Sequence, residues 1–277
     1  MLVNTQYFRE EALRFIKDGT YCRYPKGSYP HKEYWVEQNR RCIEGYTVGD
    51  LYIPGAYYFY LNFSPILAKN EKTGRKQQEF ARFTDVDLEY FLIVEKARKE
   101  KKGVILLKPR RTGFSFKNSR LCVHEYNFYK DSKCIIAAQQ NQLSTYTMNM
   151  ALEGLNFLDK NTEWKKQRNP DTKDFVKARY KETKDGVEVW KGNNSEIFTL
   201  TFKDNPMAAI GKSANIFLFE EGGKFDNLIQ SYNISEPCWR DGEDMIGVPI
   251  VYGTGGDMEK STRDFAEMFY NPEKYNL

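Results

Sequence analysis

Three short stretches of this 277-residue chain hold residue types suited to a polyphosphate. The first, Lys108-Pro109-Arg110-Arg111-Thr112-Gly113-Phe114-Ser115, follows the apolar run GVILL and leads into FKNSRLCVHEYNFY. A strand, a tight loop and a helix start in that order aim successive backbone N–H groups at an anion. Against the phosphate-loop pattern G-x-x-x-x-G-K followed by Ser or Thr, Gly113 and Ser115 fit, but Lys108 stands at the first glycine and Phe114 at the lysine. A lysine at the first position can still reach across the loop toward the β- and γ-phosphates. The Ser115 hydroxyl is then a ligand for Mg²⁺. Arg110 or Arg111 adds a cation near the γ-phosphate, where charge is redistributed in the transition state. The plain alternative is a basic turn with no ligand.

The second stretch, IFLFEE (216–221), is four apolar residues ending in Glu220 and Glu221. Acids at the carboxyl end of a buried parallel strand lie where ligands collect in such sheets. Glu220 is expected to hold hydrated Mg²⁺ and Glu221 to orient the attacking water, with Gly222 and Gly223 permitting close backbone approach. The third, VPIVYGTGG, ends in Gly253-Thr254-Gly255-Gly256, a small hydroxyl-bearing turn able to sense a γ-phosphate and pass on its loss. Singly, these are a strand end with solvated acids and a glycine turn. Their order, with roughly a hundred residues from loop to acids and about thirty more to the glycine turn, makes the set specific.

The elements that must position these residues follow from the apolar pattern. Short runs at 103–108, 133–138, 196–202, 215–220 and 248–253 alternate with helix-length segments. That is the signature of a parallel sheet covered on both faces, so an α/β three-layer core is predicted. Helices are predicted over TQYFREEALRFIKDG, ending at Gly19, and from Thr84 over TDVDLEYFLIVEKARKEKK with a stripe at Val86, Tyr90, Ile93 and Val94. Residues 1–85, aromatic and punctuated by Pro and Gly, read as an N-terminal helical and aromatic annex to a core over 86–277. The polar stretch 161–194 reads as a surface insertion or hairpin.

Composition narrows the class. At 40% hydrophobic residues and a net charge of +4 the chain is globular. Between Lys69 and Arg120 fifteen Lys and Arg face seven Asp and Glu, so that segment could meet a polyanion; a solvated helix face is the plainer reading. Five scattered cysteines without a C-x-x-C pair favour free thiols. No signal-peptide core is present, and no stretch approaches the roughly 18 apolar residues of a membrane helix.

Taken together, the motifs resemble the large terminase subunit, the DNA-packaging motor of tailed bacteriophages. Members often place the loop lysine first and an aromatic at the usual lysine position, and KPRRTGFS resembles that variant. The resemblance runs from about Ile53 to Gly256. It implies an ASCE-type P-loop NTPase fold, ATP as substrate, Mg²⁺ as cofactor, and nucleotide contact along Lys108 to Phe116, including Pro109, Arg110, Thr112, Gly113, Phe114 and Ser115. It assigns Lys108 as the displaced lysine, Arg111 as the arginine at the γ-phosphate, Ser115 and Glu220 as metal ligands, Glu221 as catalytic carboxylate, and Gly253, Thr254 and Gly255 as the coupling turn. Glu220 departs from the commoner aspartate. YYFYLNFSPI is similar to a segment preceding the core in several terminases and puts Tyr60 and Asn62 near the adenine.

The implied partners are double-stranded DNA bound without base reading, a portal protein, a small terminase subunit and further copies in a ring, in the cytoplasm of an infected bacterium. A neighbouring copy would lend an arginine, with Arg120, Arg179, Arg240 and Arg263 as candidates. Full-length terminases continue into an RNase H-like nuclease, whereas 21 residues follow Gly256, so no DNA cleavage is expected. Two other functions stay open: a non-hydrolysing nucleic-acid-binding or scaffold module, and a helicase of related core.

Overall fold

The alternating apolar runs form a six-stranded sheet in the computed structural model, which describes residues 4–69, 73–110, 112–203, 205–254 and 262–277. Arg111 and Gly255 lie outside the described residues, as does Gly256. The chain divides into two compact units, Met1–Ile93 with Glu153–Lys165, and Val94–Leu152 with Lys166–Leu277.

The first unit is built from helices α1 (Glu10–Asp18), α2 (Tyr29–Glu44) and α3 (Gly55–Asn62) and the opening of α4 (Asp85–Glu100). A 3-10 turn, Thr5–Arg9, leads into α1, which stops at Gly19 in the left-handed conformation (φ 71°), where the Gly19 N–H closes onto the Phe15 carbonyl at 2.8 Å. Ser28 caps α2, its hydroxyl accepting from the His31 N–H. Two short hairpins, Tyr46–Val48 with Leu51–Ile53 and Ile66–Lys69 with Lys76–Glu79, complete the unit. Its core is aromatic: Tyr21, Trp35, Phe63 and Trp164 meet edge-on or tilted, and Tyr57 stacks on Phe91. Asn62 belongs to this core and not to an adenine pocket. Fully buried, its amide donates to the Phe8 and Tyr58 carbonyls and accepts from the Ala12 N–H. Tyr60 is likewise buried, its ring against Tyr57 and Phe91.

Helix α4 starts where expected, with the Thr84 hydroxyl accepting from the Asp87 N–H at 3.1 Å. Its buried face is different. Val86 and Ile93 are exposed, while Tyr90, Phe91, Val94 and Ala97 are buried.

The second unit contains the sheet, with strands β1 (Val104–Leu107), β2 (Lys133–Ala138), β3 (Phe175–Lys177), β4 (Glu196–Thr201), β5 (Ile216–Glu220) and β6 (Val248–Gly253). Their order is β1-β6-β5-β2-β4-β3; all neighbours are parallel except β3, which runs antiparallel to β4. This is a mostly parallel α/β sheet, accompanied in the same unit by α5 (Phe114–Phe128), the part of α6 (Asn141–Asn161) up to Leu152, α7 (Leu228–Ser235) and α8 (Thr262–Tyr270). Strands β5 and β6 are buried along their whole length, hence their unbroken apolar sequences. Alternation along β5 sends Phe217 and Phe219 into a cluster with Tyr232, Trp239, Phe265 and Met268. Leu218 and Glu220 point to the other face, where α5 packs.

Between 161 and 194 the chain supplies β3 at the sheet edge and then a hairpin, Tyr180–Lys184 with Val187–Lys191. Asp185 (φ 52°) and Gly186 (φ 79°) form its two-residue turn, both in the positive-φ conformation that suits a right-twisted hairpin.

Candidate active site

The loop strand β1 and the acidic strand β5 are not neighbours; β6 runs between them. This order puts the carboxyl end of β6 beside both. At the loop entrance the Lys108 N–H donates to the Gly253 carbonyl at 2.9 Å. At the loop exit Gly113, in the left-handed conformation (φ 75°), occupies the N-cap of α5. A glycine there brings no side-chain oxygen to the first-turn N–H groups, which stay directed at whatever sits in the loop. The Thr112 hydroxyl donates to the Pro109 carbonyl at 2.9 Å, closing the turn on itself.

Glu220, the last residue of β5, is 3% exposed. Its carboxylate accepts from three hydroxyls, Ser115 at 2.9 Å, Thr147 of α6 at 2.7 Å, and Tyr252 of β6. Burial pushes its pKa up, and the neighbouring Glu221 charge acts in the same direction against the three hydrogen bonds. A buried acid ringed by neutral hydroxyls is one whose ionised form a cation would stabilise.

Glu221 turns into the left-handed conformation (φ 54°) directly after the strand and so leaves the sheet. The Lys108 ammonium donates to one of its carboxylate oxygens at 2.7 Å; the Thr254 N–H and hydroxyl both reach the other at 3.3 Å. Partial burial alone would raise the Glu221 pKa, but the Lys108 hydrogen bond and charge, helped by Thr254 and Lys224, bring it below the usual carboxylate value. Gly253 is required here because a Cβ on it would sit 2.9 Å from the Gly222 nitrogen.

The structure thus brings together Lys108, Ser115, Glu220, Glu221, Gly253 and Thr254, while Pro109, Thr112 and Gly113 shape the loop. Arg110 is exposed, and Phe116 is half-buried with its carbonyl accepting from Ser119. Phe114, at the standard lysine position, is buried, and the Lys117 ammonium lies 4.0 Å from its ring centre.

Three participants escaped the motif reading: Lys117, Thr147 and Tyr252. Tyr252 is adjacent to the glycine turn but reads as one more strand residue. Thr147 lies on an amphipathic helix with nothing local to mark it. One arginine expected to reach into a neighbouring site is excluded: Arg120 is 2% exposed, and its guanidinium donates to the Met150 carbonyl. Arg179 stacks on Trp190 at 4.1 Å, Arg240 pairs with Glu236 at 2.7 Å, and Arg263 is exposed on α8.

The donor set suits Mg²⁺. The Ser115 hydroxyl and Glu220 carboxylate are hard oxygens already in contact, and Mg²⁺ takes few protein ligands when phosphate oxygens and waters supply the rest.

Comparison with solved structures matches this architecture to the large terminase of bacteriophage HK97, with a TM-score of 0.51 over 80% of this chain at 12% identity. The fold is that of the matched part of the HK97 large terminase. A variant of the large terminase ATPase domain of Thermus phage P74-26 also aligns, with a TM-score of 0.45 and 16% identity over 68% of this chain and 70% of that one. The chain spans 42% of the length of the HK97 protein. No protein-family model and no curated protein matches the sequence. At such identities the terminase likeness concerns the backbone architecture, and the chemistry rests on the side chains described above.

Proposed function

We propose that this chain is the ATP-hydrolysing motor domain of a viral DNA-packaging machine, driving double-stranded DNA into a procapsid. The observation that carries the reading is Glu221, held at once by Lys108 of the phosphate loop and Thr254 of the glycine turn. Three segments far apart in sequence converge on one ionised carboxylate.

Lys108 exchanges Glu221 for the β- and γ-phosphates when ATP enters, joined by Arg111 at the γ-phosphate. Glu221, freed yet still ionised, orients water for in-line attack. Ser115 and Glu220 would hold Mg²⁺, which would supply positive charge to offset that of the phosphate oxygens. Thr254, with Gly253 and Gly255, loses or regains its hold on Glu221 as the γ-phosphate departs, coupling turnover to movement.

The wider reading has the chain contact DNA phosphates without base selection, act in a homo-oligomeric ring with a portal protein and a small terminase subunit, work in the host cytoplasm, and cleave no DNA. Phosphate release from Mg-ATP tests the core of it. Lys108→Ala and Glu221→Gln are each expected to lower turnover at least ~100-fold, the scale of losing one group that stabilises transition-state charge, with the fold retained by circular dichroism although unfolding moves to lower temperature, because each change leaves a buried charge unpaired. Wild-type protein that binds DNA but releases no phosphate would instead make this a scaffold module. Unwinding of a duplex with a free end would make it a helicase.

A further inference from the structure

The geometry assigns Lys117 as a positioning residue that staples the phosphate loop shut across its own helix start. This rests on the ATPase reading of the loop and adds a residue to it.

Lys117 is 3% exposed, on the first full turn of α5. A lysine so deep needs compensation for the water its ammonium has lost. Two loop groups provide it. The ammonium donates to the Thr112 carbonyl at 3.1 Å, and it sits 4.0 Å from the centre of the Phe114 ring, whose π face attracts a cation. The Lys117 N–H also donates to the Gly113 carbonyl at 3.1 Å. Main chain and side chain of one residue therefore tie down Thr112, Gly113 and Phe114 in succession.

The arrangement answers the anomaly in the motif. In the standard loop the lysine beside the helix-start hydroxyl both shapes the loop and meets the phosphates. Here Phe114 holds that place and cannot donate, and Lys108 is positioned for the phosphates from the front edge. Lys117 takes over the shaping role from beneath. It touches loop carbonyl and ring, so its effect on catalysis runs through loop geometry.

Two measurements on the same variants test this. Amide hydrogen exchange of peptides covering 108–116 in protein without nucleotide should accelerate about tenfold or more in Lys117→Met, which keeps the apolar stem, and by much less in Lys117→Arg, which keeps the charge. Steady-state kinetics should show a several-fold higher KM for ATP in Lys117→Met with kcat changed by less than about threefold. Unchanged exchange in Lys117→Met would overturn the staple. So would exchange raised equally across the β2 and β4 peptides, because that marks general destabilisation. The exchange result does not depend on turnover. A wild-type chain that hydrolyses no ATP but shows the local loss of protection would therefore refute the ATPase reading and leave the staple standing.

Discussion

Glu220 and Glu221 share a peptide bond yet lie in opposite electrostatic environments. Burial among hydroxyls drives the first toward its neutral form, and Lys108 holds the second ionised. Under the proposed function two carboxyls separated this way divide their labour, one for a metal and one for water. Thr147→Val removes one of the two hydroxyls that donate to the same oxygen of the buried Glu220 and leaves Tyr252 alone on it. The expected cost is about 1–3 kcal/mol of stability, read from thermal unfolding, together with a raised Mg²⁺ requirement for turnover. A separate residue gives a clean pH test. Hydrogen bonds from Arg40, with Arg41 also contributing, outweigh desolvation and lower the Glu37 pKa from 4.5 to about 2. Because the folded-state value is depressed, its stabilisation is present above pH 4.5 and fades as pH falls toward 2. The stability difference between wild type and Glu37→Gln should shrink across that window in acid titrations followed by circular dichroism. At this scale the sequence was legible where chemistry is local: Lys108, Ser115, Glu220, Glu221 and Thr254 announce themselves by type and spacing. Thr147 and Arg120 do not, because a hydroxyl or guanidinium on a helix reveals its partner only when another element packs against it.

Strands were easier to read than helix faces. The parallel strands appear as apolar runs, most plainly β2, β5 and β6, which are buried along nearly their whole length, while β1 and β4 are only half-buried. Strand β3 hides in a polar stretch since three residues at a sheet edge need little apolar character. The face of α4 was misjudged for a different reason. Residues 90–94 are all apolar or aromatic, so periodicity leaves several faces available, and packing of Tyr90, Phe91 and Val94 chooses one. Close helix contact also sets a firm constraint in the first unit. A Cβ at Gly55 would lie 2.2 Å from the Cys42 carbonyl oxygen and 2.7 Å from its carbon. Gly55→Ala must push α3 away from the end of α2, and a loss of about 1–3 kcal/mol is expected by chemical denaturation.

Across the whole chain, burial and pairing remove part of the positive charge of the 69–120 segment from the surface. Of the fifteen cations between Lys69 and Arg120, Lys108, Lys117 and Arg120 are buried, Arg98 pairs with the buried Glu125 at 2.8 Å, and Lys101 pairs with Asp244. The field available to DNA is therefore weaker than the sequence total, though Arg75, Lys76, Arg82, Lys96, Lys99, Lys102 and Arg110 remain exposed. Binding to unrelated duplexes should be of similar strength and fall about tenfold or more between 50 and 200 mM salt, the behaviour of a few phosphate contacts. Fluorescence anisotropy across a salt series measures it, and a flat response would remove DNA from the proposal.

The bond between Lys108 and Glu221 has one more effect. With the two opposite charges satisfying each other, any nucleotide must outbid an internal rival before it can recruit the ammonium, and a diphosphate brings one phosphoryl group fewer to that contest. Under the proposed function the resting pair therefore lowers nucleotide affinity, and lowers it most for the ligand that engages the ammonium most strongly. Deleting the rival with Glu221→Ala should tighten a non-hydrolysable ATP analogue several-fold more than ADP in calorimetry; unchanged affinity for both would show that the pair does not compete with nucleotide.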